Sequence, residues 1–253
     1  MNNVHVIIPA RYNSSRLPKK PLLEINGMSM VMRVYNQAKS FTKNVIVATD
    51  SIEILEHVEK SGGKAIMTDE AHDSGTKRIV EVVNKLGLSD SQIVLNLQGD
   101  EPFVNADHLS SAVDCLNRDP VIDIATLITP ITTFEQYVDS NVVKVVSTRY
   151  GIADYFSRAP IPFNRDGFEK GEIPKGASKH IGLYGYRVSA LKSLEGYYKK
   201  YPEAIGYEDS EKLEQLGFMD AGLVVGYSVT LTPPHRGIDT LEDLERARAV
   251  VAE

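Results

Sequence analysis

Three near-continuous apolar runs, at residues 4–8, 45–48 and 93–97, constrain this chain more than any other feature. Short runs without polar alternation suit strands buried on both faces, as in a parallel sheet covered by helices. The segments between them repeat with the helical period instead. Val31, Val34, Tyr35 and Ala38 mark one stripe, and Ile79, Val80, Val83 and Leu86 mark another. Strand, helix, strand, helix in this order predicts βαβ crossovers and a doubly wound α/β sheet. Ligands of such sheets sit beyond the carboxyl ends of the strands. Two polar loops fall at that edge, residues 9–20 after the first strand and 98–102 after the third.

The second half reads differently. Strands are expected at 124–131, 142–146, 152–156 and 180–187, separated by joints such as Pro160-Ile161-Pro162. One helix is expected across 208–216 and another from Thr240 to the end. Residues 164–176 hold Gly, Pro and many charges with few apolar side chains, which predicts a mobile surface loop.

Composition narrows the function. A net charge of -6 argues against general nucleic-acid binding, which needs a basic footprint. No apolar run approaches the roughly 20 residues of a membrane span, and the chain enters its first apolar run without a basic leader, so no signal peptide is expected. Cys115 is the single cysteine, which leaves no intramolecular disulfide framework and no paired-cysteine metal site. A reducing cytoplasm fits these facts.

The first loop carries the most chemistry. Arg11, Arg16, Lys19 and Lys20 place four cations within ten residues, directly after a buried strand. Guanidinium forks match phosphate oxygens in pairs and lysine acts as a point charge; Ser14 and Ser15 could add donors. A solvated basic loop is the alternative, and the position at the sheet edge favours a ligand. Neither a P-loop nor a G-x-G-x-x-G follows the first strand, which argues against a P-loop NTPase and a standard dinucleotide-binding dehydrogenase. In Gln98-Gly99-Asp100-Glu101-Pro102, Gly99 would let backbone approach a ligand and Asp100 could offer a carboxylate to magnesium; a plain turn explains the same residues. Asp239 is a second candidate ligand, although with Glu242 it also makes a capping-box pattern before the last helix. Ser74-Gly75-Thr76 opens a helix whose free N–H groups suit an anion or a base edge, or simply an N-terminal cap. His57, His72 and His235 show no paired metal spacing and read as surface or packing residues.

Together these motifs resemble the cytidylyltransferases that make CMP-Kdo (Kdo is 3-deoxy-D-manno-octulosonate). The resemblance runs through Pro9-Ala10-Arg11, Arg16-Leu17-Pro18, Lys20-Pro21-Leu22, Ala48-Thr49-Asp50, Ser74-Gly75-Thr76 and Gln98-Gly99-Asp100. It continues through Tyr155-Phe156-Ser157-Arg158, the segment from His180 to Arg187, Leu213-Glu214-Gln215-Leu216 and Asp239-Thr240, nearly the whole chain in order. It implies a glycosyltransferase-A-like fold (nucleotide-diphospho-sugar transferase), a mixed sheet with helices on both faces and a smaller lobe. Residues 1–253 would form a single nucleotidyltransferase domain, with about 1–120 as nucleotide-binding half and 121–253 as sugar-binding and dimerisation half. The partners implied are CTP and an acidic eight-carbon sugar, with Mg2+ as cofactor and a homodimer as the assembly. By position, Arg11 and Lys20 would hold the triphosphate with Ser14 and Arg16 nearby. Ser74, Thr76 and Arg78 would contact the cytidine side, and Asp100 and Asp239 would bind magnesium. Gln98, Arg158, His180, Tyr184, Glu208 and Glu211 would line the sugar pocket, with Arg158 forking the acceptor carboxylate.

Three positions depart from the pattern. Lys19 stands where glycine is usual, Asp209 where a basic or histidine residue is common, and Gly217 where arginine is customary. An extra carboxylate at Asp209 would favour a cationic substituent, so an 8-amino analogue of Kdo is an alternative acceptor; Asp209 pointing into solvent is the plainer reading. Another acidic acceptor or base, and a non-catalytic nucleotide binder, are the remaining alternatives.

Overall fold

The structure is a computed structural model that describes residues 3–13, 17–203, 206–235 and 237–252. The chain divides into two compact units, Met1–Ser110 with Pro234–Glu253, and Ser111–Pro233. The last segment, which carries Asp239, therefore belongs with the first unit, unlike a simple division into halves near residue 120.

The first unit begins with β1 (Val4–Ala10), buried without interruption from Val6. A hairpin follows, β2 (Glu24–Ile25) and β3 (Met28–Ser29), turning through Asn26 and Gly27, both at positive φ. Asn-Gly suits that turn because both residues tolerate the left-handed region. Then come α1 (Met30–Phe41), β4 (Val45–Thr49), α2 (Ile52–Lys60), β5 (Ala65–Met67), α3 (Gly75–Leu86) and β6 (Ile93–Asn96), while α4 (Ala106–Arg118) begins in this unit and ends in the second. The strands lie in the order β6-β1-β4-β5, and each neighbouring pair is parallel. The connection from β5 to β6 runs back across the sheet, so a right-handed crossover sets α3 on the face opposite α1 and α2.

The expected stripes hold with one exception. Val31, Val34, Tyr35 and Ala38 of α1 are buried, as are Ile79, Val80 and Val83 of α3. Leu86 is exposed, because Gly87 at φ 62° caps α3 one residue later and the apolar stripe runs out with the helix.

In the second unit, β7 (Ile124–Pro130) is followed by α5 (Phe134–Val138), β8 (Lys144–Ser147), β9 (Ala153–Ser157), β10 (Ser178–Arg187), α6 (Val188–Lys200), α7 (Gly206–Glu211), α8 (Glu214–Asp220) and β11 (Val225–Val229). β7 pairs parallel with β11 and antiparallel with β10, while β8 pairs antiparallel with β10 and β9. The helix expected across 208–216 is two helices. Lys212 sits at φ 52° and Leu213 is extended, which breaks the turn between α7 and α8. Residues 164–176 do form a loop, anchored by Phe168 against Phe134 and Tyr137. Finally α9 (Leu241–Ala252) returns to the first unit, where Ile238, Leu244 and Ala247 pack with Leu17, Ile25 and Met30.

Candidate active site

A cavity of about 430 Å³ opens in the first unit at the carboxyl ends of β1 and β6. Pro9, Ala10 and Arg11 line it from the end of β1, Lys20 and Pro21 from the following turn, and Gly75 and Arg78 from α3. Gln98, Gly99 and Asp100 enter after β6, and Asp239 enters just before α9. Parallel strands point their carboxyl ends to one edge, so residues distant in sequence meet there.

The centre of the cavity wall is an ion cluster. Lys20 Nζ lies 2.5 Å from Asp100 Oδ2 and 3.1 Å from Asp239 Oδ1, so both expected carboxylates reach one ammonium. Their meeting has a backbone cause. Ile238 N–H donates to the Asp100 carbonyl at 2.9 Å, while the Ile238 side chain is buried in the core beneath. Gly237 lies close beside it, where a Cβ would stand 2.8 Å from Glu101 Oε1 and displace that side chain. The two carboxylates raise the attraction for Lys20's proton, against the opposing effect of burial, and the ammonium's pKa moves up.

Asp239 is not paired with Glu242 in the last helix's reciprocal cap. That cap forms one residue on, with Asp243 N–H donating to Thr240 Oγ1 and Thr240 N–H donating to Asp243 Oδ2. Glu101 is a residue the sequence reading passed over. Burial, with the Asp100 and Asp239 charges beside it, pushes its carboxyl up to about 8, so it holds a proton at neutral pH. The signal was present, an acid directly after Asp100, but an acid before proline in a turn reads as exposed.

The other nucleotide-side residues divide. Arg11 is exposed and lines the cavity; Ser14 and Arg16 lie outside the described residues. Ser74 caps α3, its hydroxyl accepting from Lys77 N–H at 3.2 Å, which is the plainer of its two expected roles. Thr76 is fully buried. Arg78, expected to touch the cytidine side, is a fully buried part of the wall, with Nη2 3.0 Å from Asp50 Oδ2 and Nη1 donating to Thr68 Oγ1. Gln98 lines the cavity and donates to Asn96 Oδ1 at 3.1 Å. Gly99 serves packing, because a Cβ there would stand 2.9 Å from the Pro9 carbonyl oxygen.

Most residues expected at the sugar belong to the second unit and are engaged with protein. The Arg158 guanidinium donates to the carbonyls of Glu211 at 2.6 Å, Ser140 at 3.0 Å and Lys212 at 3.4 Å, so it is not a free fork for a carboxylate. Glu211 accepts from Ser157 Oγ at 2.5 Å and from Arg158 N–H at 2.7 Å, securing the end of β9. Tyr184 is a core residue. Its hydroxyl donates to Gln215 Oε1 at 3.0 Å, and its ring packs on Tyr186, Phe218 and His180. His180 meets Thr126 Oγ1 at 2.9 Å between the rings of Phe156 and Tyr184, and burial lowers its pKa to about 4. The Glu208 carboxylate lies over Gly217, where a Cβ would displace it. Asp209 is exposed and pairs with Lys212, which removes the reason for an aminated acceptor. His57 meets Ser29 Oγ at 2.7 Å, His72 meets Glu81 Oε2 at 2.6 Å, and the His235 ring packs at a tilt against Phe103, all packing or surface roles.

A family model described as cytidylyltransferase matches residues 5–225. The chain belongs to the cytidylyltransferase family. The 3-deoxy-manno-octulosonate cytidylyltransferase of Francisella philomiragia is 44% identical over 252 residues, covering 98% of each chain. That of Hahella chejuensis is 43% identical, covering 100% of this chain and 99% of its own. Among solved structures, a CMP:2-keto-3-deoxy-manno-octonic acid synthetase complexed with CTP superposes with a TM-score of 0.87 at 39% identity, covering 98% of both chains. This cytidylyltransferase thus has the nucleotide-diphospho-sugar transferase type of fold, the glycosyltransferase-A-like class the sequence resemblance implied. Among the described residues, no helix is long and apolar enough to cross a membrane.

Proposed function

We propose that this cytidylyltransferase joins CMP from CTP to the anomeric hydroxyl of Kdo and releases pyrophosphate, working as a magnesium-dependent, cytoplasmic homodimer. The relatives' substrates support the acceptor and donor. The observation that carries the reading is the Lys20 ammonium held between Asp100 and Asp239 at the mouth of a cavity also lined by Arg11. The donor set fits magnesium, a hard cation that takes one or two carboxylates and completes its shell with water and substrate phosphate. Among the described residues no group of three or more His, Cys, Asp or Glu side chains gathers for a metal.

Asp100 and Asp239 would hold the magnesium ion, which when bound supplies Lewis acidity at phosphate oxygens. Lys20 would exchange an aspartate contact for a triphosphate oxygen and offset charge on the departing pyrophosphate. Arg11 would pair with phosphate oxygens as a fork, and the backbone at Ala10 and Gly99 would bound the nucleotide. The acceptor's anomeric hydroxyl gives up its proton to solvent and its oxygen bonds to the α-phosphorus, as the bond from that phosphorus to the α–β bridging oxygen breaks and pyrophosphate leaves. No covalent enzyme intermediate is required, so the protein's part is alignment and charge neutralisation. A reducing compartment suits the lone, buried Cys115.

Pyrophosphate release with each of four nucleoside triphosphates, magnesium and a panel of acid sugars tests the reading. CTP with Kdo is expected to give the fastest release, and light scattering is expected to give twice the chain mass. Faster turnover of another sugar or base, or CTP binding without turnover of any acceptor, overturns it.

A further inference from the structure

The segment Ala48-Thr49-Asp50 has no role in the reaction as described so far, yet Asp50 stands at a junction. It follows β4 directly, at the same sheet edge as the cavity. Its Oδ1 accepts the Tyr12 backbone N–H at 3.1 Å, and its Oδ2 lies 3.0 Å from Arg78 Nη2. Tyr12 is the residue after Arg11, so one carboxylate oxygen fixes the backbone from which the cavity's exposed arginine departs. The other oxygen is held by a guanidinium that is itself immobile. Arg78 is fully buried on α3, and its second nitrogen donates to Thr68 Oγ1, whose own backbone N–H is bound to the Thr49 carbonyl at 2.8 Å. The ends of β1, β4 and β5 and the first turn of α3 are thereby tied through one acid.

The charges explain why an acid is required there. Arg78 and Arg11 repel each other, and a buried guanidinium without a counter-ion is strongly unfavourable. An anion between them both neutralises Arg78 and orients the peptide that leads from Arg11. We propose that Asp50 is a positioning residue for triphosphate binding, acting through the Tyr12 peptide to set Arg11 in the cavity. This rests on the reading of Arg11 as a phosphate-binding group.

The test is a double-mutant cycle on the full chain, read as the Kd for CTP by calorimetry with magnesium present. Asp50→Asn opposes a donor to either the Tyr12 N–H or Arg78, and is expected to raise the Kd about tenfold. In an Arg11→Ala background the same change is expected to add less than about threefold, because the group being positioned is gone. In turnover, KM for CTP is expected to rise with kcat changed less. Equal fold-changes in the two backgrounds, or an unchanged Kd, would overturn the proposal, since a general structural role acts regardless of Arg11. Asp50→Glu provides the second variant, keeping the charge beside Arg78 while moving the Tyr12 acceptor. It is expected to melt near the wild type and still bind CTP more weakly; wild-type CTP affinity in it counts against the proposal. Wild-type protein that fails to bind CTP removes the functional reading itself, and this proposal with it.

Discussion

Replacing Lys20 with methionine separates the cluster's electrostatics from its packing, because the side chain keeps its unbranched stem, one heavy atom shorter, and loses its charge. The ammonium lies 2.5 Å and 3.1 Å from two carboxylate oxygens, so the attractions sum to about 3 kcal/mol even at the dielectric constant of water. Lys20 is only 14% exposed while Asp239 is 37% exposed, which places the cluster between a surface pair and a buried one. A net loss of about 2 kcal/mol follows, or a melting temperature lower by roughly 4–8 °C in a chain of this size. The sign reverses for the metal. In the wild type an incoming magnesium ion competes with the ammonium, whereas in Lys20→Met the two carboxylates face each other uncompensated. Magnesium chloride is therefore expected to raise the variant's melting temperature more than the wild type's, in scans run against a chelator baseline. CTP turnover is expected to fall by about two orders of magnitude, since the point charge for triphosphate is gone. A variant that melts with the wild type, or that gains less from magnesium, would refute the argument that one cation site is shared.

Three further outcomes follow from single residues. His180 has its pKa lowered to about 4, so the unfolded chain binds the extra proton below pH 6.5; stability is full above that pH and falls by about 2 kcal/mol from pH 7 to pH 5. His180→Gln should remove that part of the slope in urea titrations at the two pH values, and an unchanged slope counts against a buried neutral imidazole. Glu101, raised to about 8, contributes stability that is complete below pH 4.5 and lost as pH rises through 8; Glu101→Gln should therefore gain on the wild type between pH 6 and pH 9, and parallel denaturation curves would contradict it. Gly99→Ala drives a Cβ to 2.9 Å from a backbone oxygen and should cost about 1–3 kcal/mol in stability and weaken CTP binding, whereas Gly182→Ala, with open space around it, should leave CTP affinity unchanged.

The buried parallel strands were legible because burial on both faces leaves a run of apolar residues that nothing else in the chain imitates. β5 was not, since its three residues at a sheet edge, two half-buried and Met67 exposed, are too short a run. The β2–β3 hairpin did carry its signal in Asn26-Gly27, and α6 carried one in Val188, Leu191 and Leu194; both could have been read. The break at Lys212 could not, because a lysine in the left-handed region is imposed by what surrounds it. In the site, the first loop was legible from its position after a strand. The sugar-side positions were harder to read, for one reason. Arginine and glutamate suit a sugar acid, but they suit buried carbonyls and peptide N–H groups equally well, and Arg158 and Glu211 are engaged there.

Two adjacent lysines show how the loop sorts its charges. Lys19 adopts φ 55°, and this left-handed residue turns the chain so that its own side chain leaves toward α2 while the next one turns inward. Lys19 Nζ reaches Glu53 Oε1 at 3.2 Å and lies 5.2 Å from the centre of the Tyr12 ring; Lys20 goes to the aspartates. With an ordinary extended residue at 19 the two ammonium groups would not diverge in this way. A glycine there would hold the same turn without strain and would forfeit the Glu53 contact, a solvent-screened pair at half-exposed positions. The lysine at this position therefore alters the outer surface of the loop and leaves the inner cation where it is. In the proposed function, ligand selection by this cavity would rest on Lys20, Arg11 and the two aspartates, and the Lys19 side chain points away from them.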